Sequence, residues 1–341
     1  MPLRLAFFLS LLAALASILL ASGTGSVYIP PDESLSILAH KIFGAGLPGH
    51  ISGAHSGIIW SLRLPRVLLA FIAGATLSVS GAIMQSVLKN PLASSFTLGV
   101  SSGASLGAGL VILGGFTLPF AGFLTVPAAG FIFSLLAIFS VMAFARAIDP
   151  RLENNTIILA GMVFSLFFNA ILTLLSALSK QEMNRLLFWQ MGSFSLKGWE
   201  PVLILAPVML SMTLLAMFFS RELDIMTFGD DEAIGLGVPV KRNKRILVAL
   251  ASILTGCTVA FVGVIGFLDL AVPHMVRRVL GPAHRTLIPF SALIGGTFMV
   301  LADLLARIII PPLDLPVGAI TALLGAPFFA WIYIRSRRSA L

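Results

Sequence analysis

Long apolar runs, separated by short polar segments, dominate this sequence of 341 residues. Most runs approach 20 residues, about the length that an α-helix needs to cross a membrane. They are continuously apolar and lack the alternation of β-barrel strands. The runs lie at residues 3–22, 64–84, 93–114, 118–146, 156–178, 201–220, 246–264, 268–280, 287–309 and 316–335. The pattern therefore predicts an all-α integral membrane protein with about ten transmembrane helices.

Composition supports a membrane protein and excludes a soluble one. The chain is 58% hydrophobic and 11% charged, whereas soluble domains carry about 25% charged residues. The longest hydrophilic stretches, 23–60 and 221–245, are too short for a soluble domain, so we expect one transmembrane domain over residues 1–341. The net charge of +8 comes from basic residues at the ends of apolar runs, as topology requires. We therefore expect contact with membrane lipid and no nucleic-acid partner.

The first run, 3–22, has Arg4 ahead of its apolar part and resembles either a signal peptide or a first span. It is longer than most signal-peptide cores, and no clear A-x-A cleavage site follows it. We therefore interpret it as a retained span.

The stretch 246–280 decides the topology. As one helix it would be about 52 Å long, too long for a hydrocarbon layer of about 30 Å. Two helices place both termini and every basic cluster on the cytoplasmic side, whereas one helix sends the last two clusters outside. The clusters are Lys89, Arg146/Arg151, Lys241–Arg245, Arg277–Arg285 and Arg335–Arg338. Ten spans are favoured, and Gly263, Gly266 and Pro273 permit the break.

Three arginines contradict this charge pattern, because the topology places them outside. Arg63 and Arg66 lie at the outer mouth of the second span, and Arg307 lies near the outer end of the ninth. Arg307 has Asp303 four residues earlier as a local partner, or it can extend to lipid headgroups. Arg63 and Arg66 have no acid within a helical turn, and cations oppose the dipole at a helix N-terminus. They therefore indicate an external partner, either an acidic protein surface or an anionic substrate.

Several motifs in order resemble those of the iron-chelate and vitamin B12 ABC importer permeases, the FecCD-type family. The longest is RLPRVLLAFIAGATLSVSGAIMQSVLKNPLA at 63–93, followed by LGVSSGA at 98–104. The others are WQMGSF at 189–194, GVIGFLDLAVPHMVR at 263–277, LADLLAR at 301–307 and LPVGAITALLGAPFF at 315–329. The resemblance covers nearly the whole chain from the second span onward. It departs at Asp269, where the family has glycine, and residues 1–60 match only in character.

The resemblance implies a vitamin B12 importer-like fold, a homodimer of ten-span subunits and a prokaryotic plasma-membrane location. It also implies cytoplasmic ATP-binding subunits and an extracytoplasmic substrate-binding protein, which would dock on Arg63, Arg66 and Arg307. The sequence contains no G-x-x-x-x-G-K-[ST] phosphate-binding loop, so ATP hydrolysis is expected in a partner chain. We therefore expect a permease subunit with no catalytic residues and no cofactor of its own.

The loop 221–245 is amphipathic, and its glycines predict two very short helices joined by a glycine turn. Acidic residues there suit a helix N-terminus, and its apolar residues favour a protein contact over a plain topogenic loop. Its basic end, Lys241–Arg245, is expected only to hold the cytoplasmic side. The resemblance places the segment that couples to the ATPase on Gly229, Asp230, Asp231, Glu232, Ala233, Ile234, Gly235, Leu236, Gly237 and Val238.

The family also implies that spans 5 and 10 line the transport pathway. Candidate lining residues are Asn169, Thr173, Ser176 and Thr321. An apolar, neutral lining would suit a bulky chelate. The small-residue patterns Gly74/Ser78 and Gly99/Gly103/Gly107 are typical of close helix packing, and Gly318/Gly325 suits it as well.

The remaining polar residues predict structural roles. Asp269 suits the start of a helix, where its carboxylate can cap free N–H groups, although it can also line the outer mouth. His274 follows Pro273 and is expected to pack and hydrogen-bond. The histidines His40, His50 and His55 fit no compact metal site. The single cysteine, Cys257, excludes an intrachain disulfide.

Three functions remain to be compared. The first is an importer permease for an iron chelate such as a siderophore or haem, with cobalamin as the alternative cargo. The second is an ion-coupled secondary transporter, which usually places ionisable groups near the middle of the membrane; here Asp269, Asp303 and Arg307 all lie near the outer side. The third, an intramembrane enzyme, needs paired carboxylates, a Ser–His pair or a metal cluster at depth, and the sequence suggests none.

Overall fold

The computed structural model describes residues 3–25, 27–119, 121–178 and 182–338, and the side chains of these except residues 328, 329 and 331–338. Within those ranges the regular structure is helical. The helices are α1 Leu3–Gly23, α2 Pro31–Phe43, α3 Gly53–Gly57, α4 Leu64–Val87, α5 Val100–Gly114, α6 Gly122–Ile148, α7 Asn154–Leu178, α8 Met183–Gln190, α9 Glu200–Phe218, α10 Ser220–Met226, α11 Asp230–Gly235, α12 Val240–Val262, α13 Leu268–Leu280, α14 His284–Ile308 and α15 Val317–Arg338. A π-helical turn, Ile58–Arg63, joins α3 to α4.

Seven helical stretches in the described residues are long and apolar enough to cross a membrane. They are α1, the continuous stretch Gly53–Val87, α6, α7, α9, α12 and α14. Two shorter apolar helices are Val100–Gly114 and Val317–Pro327. The fold is therefore that of a multi-pass helical membrane protein.

Each of the ten apolar runs contains one helix of the structure. The expected break in 246–280 is confirmed, because α12 ends at Val262 and α13 covers residues 268–280. The sequence analysis missed α2, α3 and α8, which are short helices between the predicted spans, and the π-helical turn before α4. The side chains of the basic cluster Arg335–Arg338 lie outside the described residues.

Helix α4 is the centre of the bundle and packs against α12, α13 and α14. In its most apolar window 89% of the residues are buried, compared with 22% for α7. Small residues permit this approach: a Cβ added to Gly74 would overlap the backbone oxygen of Gly295 on α14, and one added to Gly81 would overlap that of Asp269 on α13. The predicted packing role of Gly74 is therefore confirmed.

Three motif segments meet at the non-helical segment between α12 and α13. The amide of Ser193 donates to the carbonyl oxygen of Val262 at 2.8 Å, and the amide of Gly318 donates to that of Met191 at 3.2 Å. A Cβ on Gly263, which has φ +80°, would overlap the carbonyl oxygen of Trp189. The loop after α8, the break after α12 and the start of α15 therefore support one another through backbone groups.

The bundle has two chemically different ends, because α4 and α14 run antiparallel. Arg66 at the start of α4 contacts Asp303 near the end of α14. Ser86 at the end of α4 contacts His284 at the start of α14. We call the first the arginine end and the second the loop end.

Candidate functional site

At the arginine end, Arg66 binds two carboxylates from distant parts of the chain. Its Nε lies 3.0 Å from Oδ1 and 3.1 Å from Oδ2 of Asp303, and one terminal nitrogen lies 2.9 Å from Asp303 Oδ1. The other terminal nitrogen donates to Asp314 Oδ2 at 2.7 Å. The Asp303 side chain is 1% exposed and that of Asp314 is 42% exposed. Arg66 therefore has one buried partner and one accessible partner.

Arg63 and Arg307 are held by the C-terminus of α1. Arg63 donates to the carbonyl oxygens of Ser22 at 3.2 Å and Gly23 at 2.8 Å, and also to that of Val27. Arg307 donates to the carbonyl oxygen of Ala21 at 3.0 Å. The last carbonyls of a helix lack intrahelical donors and carry partial negative charge, so cations are favoured there. The dipole of α1 thus offsets the unfavourable position of Arg63 before α4.

The structure corrects one premise of the sequence analysis. The sequence analysis considered only acids within a helical turn of Arg66, but folding brings Asp303 and Asp314 to it from positions 237 and 248 residues away. Arg307 does pair with Asp303, with Nε 3.3 Å from Oδ2. Among the described residues no carboxylate pairs with Arg63, so two arginines share the two aspartates and the third has carbonyl partners instead.

The three arginines line one cavity of about 490 Å³. Asp314, Ser195 and the turn at Pro311–Pro312 also contribute to its wall. Although partial burial opposes ionisation, hydrogen bonds from Arg66 and Ser195 lower the pKa of Asp314 below its usual value. The cavity is thus a cationic pocket whose accessible carboxylate stays ionised.

At the loop end, α10 and α11 confirm that two short helices occupy the loop 221–245. Ala233 and Val238 are buried, and they attach the segment to the bundle. Ile234 is 57% exposed and Leu236 is 68% exposed. Because large apolar side chains gain stability from burial, this exposed pair is a surface suited to a partner protein.

Asp230 is tied to the bundle by two lysines. Its carboxylate lies 2.6 Å from Lys89 Nζ and 2.5 Å from Lys244 Nζ. Lys244, whose side chain is 0% exposed, also donates to Asn154 Oδ1 at 2.7 Å and to the carbonyl oxygen of Leu152 at 3.1 Å. The expectation that the basic end of this loop serves only topology is therefore wrong for Lys244, which joins three segments of the chain.

A chain of buried polar contacts extends inward from α10. Asp224 Oδ1 accepts from the backbone amide of His284 at 2.9 Å and lies 2.6 Å from its Nδ1. His284 Nε2 lies 2.6 Å from Ser86 Oγ, which also accepts from Arg277 at 2.9 Å. Arg277 in turn bonds the side chain of Gln85. The contacts connect α10, α14, α4 and α13, and the sequence analysis missed them because their members are far apart in the chain.

The four pathway candidates do not form one group. Asn169 is exposed on α7 and lines a groove. The hydroxyls of Thr173 and Ser176 bond to carbonyl oxygens of their own helix, each at 2.8 Å. Thr321 is 1% exposed and lines a different, small apolar cavity with Phe267.

Asp269 lies in the first turn of α13, as the capping interpretation expects. It is 2% exposed and packs against α4. It is not part of the wall of the arginine-end cavity. Asp269 therefore does not line that cavity, and its alternative position at the outer mouth stays a prediction.

Comparison with known proteins identifies the family. The profile of the FecCD transport family matches residues 11–335, and the chain therefore belongs to that family. It is 41% identical over 322 residues to the uncharacterized ABC transporter permease protein YvrB of Bacillus subtilis, covering 94% of this chain and 91% of that protein.

Two further relatives carry names that state a cargo. The chain is 39% identical to the hemin transport system permease protein HmuU of Yersinia pestis, over 82% of this chain and 84% of that protein. It is also 39% identical to the cobalamin import system permease protein BtuC of Halobacterium salinarum, over 81% of this chain and 73% of that protein.

A solved structure described as a metal-chelate type ABC transporter in an inward-facing conformation superposes with a TM-score of 0.85. It is 28% identical and covers 97% of this chain and 99% of that chain. This protein is thus an ABC transporter permease, a multi-pass membrane protein of a prokaryote.

Proposed function

We propose that the chain is the membrane subunit of a binding-protein-dependent ABC importer that carries an iron chelate, a siderophore or haem, into the cytoplasm. The hemin permease relative supports this cargo class, and the cobalamin relative supports the alternative. The observation that carries the proposal is the chemical contrast between the ends of the bundle, a cationic cavity at one and an exposed apolar segment at the other. Each end suits a different protein partner.

The whole chain acts as one permease domain in the plasma membrane, and it crosses the membrane ten times. The seven long apolar helices, with the shorter α5, α13 and α15, supply these crossings. Both termini then face the cytoplasm, together with the loop end and its lysines. Two copies pair around the pathway; the largely exposed, apolar faces of α6, α7 and α9 leave surface for lipid and for the second copy.

ATP hydrolysis takes place in separate cytoplasmic subunits that bind the segment Gly229–Val238. Ile234 and Leu236 supply its exposed apolar surface. The ion pairs of Asp230 with Lys89 and Lys244 fix the segment to the ends of α4 and α12. A displacement of this segment by the ATP-binding subunits is therefore transmitted to the core of the bundle.

The arginine end docks the substrate-binding protein. Of the three arginine charges of the cavity, that of Arg63 is not compensated by a carboxylate, because its partners are carbonyl oxygens. Arg66 can exchange its accessible partner Asp314 for an incoming carboxylate and keep the buried partner Asp303. Arg307 contributes its charge from the wall of the same cavity. An acidic side chain entering the cavity would thus meet a net positive field.

Uptake by cells tests the function. Radiolabelled hemin, a ferric siderophore, ferric citrate and cyanocobalamin are supplied to cells with and without this gene. We expect one probe to be lost in the deletion and restored by the intact gene only when the ATP-binding subunits are active. Uptake in vesicles driven by an ion gradient without ATP would instead support a secondary transporter and overturn the proposal.

Charge reversal tests docking. Arg63→Glu should abolish uptake and binding-protein association, whereas Lys41→Glu should leave both intact, because Lys41 is an exposed cation on α2 away from the cavity wall. Equal effects of the two changes, or a normal association with Arg63→Glu, would reject docking at the cavity.

A further inference from the structure

A second cavity at the arginine end, beside the one that the three arginines line, has no role in the features described so far. Its volume is about 340 Å³. Apolar residues from four helices form most of its wall, namely Ile112, Phe123, Val126, Pro127, Pro201, Ala260 and Phe261. The other described residues of the wall are Trp189, Leu196 and the two cations Arg185 and Lys197. The wall is thus apolar with two positive charges, and none of its described residues is acidic.

This cavity lies at the ends of its helices, close to one membrane surface. Ile112 is near the end of α5 and Ala260 is near the end of α12, whereas Pro201 is in the first turn of α9. Pro127 is about 8 Å from the start of α6, at about 1.5 Å per residue. The headgroup layer adds roughly 5–8 Å on each side of the hydrocarbon layer, and tryptophan is enriched at this depth. The cavity and its Trp189 therefore lie where lipid headgroups meet acyl chains.

An apolar stripe on α12 leads from the cavity toward the loop end. Between residues 246 and 262 of that helix every residue is buried except four, which are Ile246, Ala249, Ile253 and Cys257. Residues spaced three and four apart share one face of a helix, and Ala260 in the cavity wall continues this face. The stripe is the part of α12 that its neighbours α4, α5, α6 and α9 leave uncovered. It extends about 21 Å, which exceeds half of a hydrocarbon layer of about 30 Å.

The two cations of this cavity are weakly compensated within the chain. In the part of the chain that the structure describes, the ammonium group of Lys197 has no hydrogen-bond or ion-pair partner. Lys197 lies in the loop between α8 and α9, and burial lowers its pKa because the charged form is less well solvated there. Arg185 lies 3.8 Å from Glu182, and both side chains are exposed, at 73% and 45%. Such an exposed pair contributes little, so both cations are available to an anion.

An anionic phospholipid matches both parts of this surface. Its phosphate would meet the two cations, and an acyl chain would cover the stripe on α12. A soluble anion would leave the stripe uncovered, and a zwitterionic lipid brings a cation of its own to the cavity. A second copy of the chain is a poorer match, because no described wall residue belongs to α7 or α15, the helices expected to line the pathway between the copies.

We propose that this cavity binds the headgroup of an anionic membrane phospholipid, with Lys197 and Arg185 as partners of its phosphate and one acyl chain along the stripe on α12. The site goes beyond the proposed transport function and does not depend on which cargo is carried. α8 supplies Arg185 and Trp189, and the segment after α8 bonds to the end of α12 through Ser193. A bound lipid would therefore join α8 to α6, α9 and α12 and stabilise this end of the bundle.

Lipid titration of the purified full-length chain in detergent, followed by native mass spectrometry, tests the site. The probes are dioleoyl phosphatidylglycerol, which is anionic, and dioleoyl phosphatidylcholine, which is zwitterionic. Phosphatidylglycerol should bind more tightly, and Lys197→Gln should raise its Kd about fivefold, the effect of one basic residue beside an anionic headgroup. The matched control is Lys41→Gln, which removes an exposed cation on α2 outside the cavity wall and should leave the Kd unchanged.

Thermal unfolding is the second readout and detects a variant that is merely damaged. Without added lipid the three proteins should have the same Tm. Phosphatidylglycerol should raise the Tm of the unchanged chain and of Lys41→Gln, and it should raise that of Lys197→Gln less, because a ligand stabilises the folded state according to its affinity. Inorganic phosphate in large excess should not displace the lipid, since it cannot cover the stripe.

Three outcomes would overturn the lipid site. The first is an equal Kd for the two lipids, or a Kd for phosphatidylglycerol that Lys197→Gln does not change. The second is displacement of the lipid by inorganic phosphate, which would make the cavity a site for free anions. The third is a loss of binding-protein association in Lys197→Gln with normal lipid binding, which would assign the cavity to the docking surface instead.

Discussion

The Asp303→Asn substitution would leave Arg66 and Arg307 facing one neutral amide at a position that is 0% exposed. Removing one partner from a buried ion pair costs about 3–5 kcal/mol. Arg66 would still hold Asp314 at 2.7 Å, and the asparagine carbonyl would retain one acceptor. We therefore expect the lower end of that range, about 3 kcal/mol of the free energy of unfolding.

The assay is unfolding of the purified protein in detergent by titration with sodium dodecyl sulfate. Asp314→Asn is the control, because that side chain is 42% exposed and an exposed ion pair contributes about 0–1 kcal/mol. Adding Arg66→Met to Asp303→Asn should cost less than the sum of the single changes, because no unpaired guanidinium then remains at Arg66. The reasoning is refuted if Asp303→Asn costs no more than Asp314→Asn, or if the double change is additive.

Three further predictions concern the loop end and the helix packing. Leu236→Ser should weaken binding of the ATP-binding subunits about tenfold, whereas Phe43→Ser, at a side chain 83% exposed on α2, should not change it in a binding titration. Burial opposes ionisation of Asp230, but hydrogen bonds from its two lysine partners lower its pKa. Its stabilising effect should therefore be complete above about pH 4 and disappear as pH falls through the lowered pKa, and Asp230→Asn should remove that part of the pH dependence of thermal unfolding. Gly81→Ala, which would overlap α13, should prevent accumulation of folded protein, whereas Gly122→Ala, with open space around its Cβ, should accumulate normally.

The sequence predicts the helices well because membrane spans have strong local signals. An apolar run of about 20 residues is sufficient to indicate a helix, and the glycines at 263 and 266 mark the break after α12. α2, α3 and α8 were missed because they are shorter than a span and carry no comparable hydropathy signal. Ten apolar runs were enough to locate the main helices of the bundle.

The sequence could not predict which polar residues pair with one another, because the partners are far apart in the chain. Asp303 was considered as a partner only for Arg307, four residues away, although it is also the buried partner of Arg66. Lys244 looked like an ordinary topogenic cation and is buried under the loop segment. The serines at 101 and 102 were visible in a quoted motif, but only the fold places them beside Asn169. Each of these contacts depends on the path of the whole chain.

The partners of the arginines also set an order for assembly during synthesis. Arg63 finds the carbonyl oxygen of Ser22 only 41 residues earlier, so its partner is already made when it leaves the ribosome. Arg66 must wait for Asp303, 237 residues later, a delay of roughly 12–50 s at about 5–20 residues per second. A nascent chain that stops before α14 therefore carries an unpaired guanidinium in an apolar helix. Pairing of Arg66 therefore marks a chain whose insertion is nearly finished.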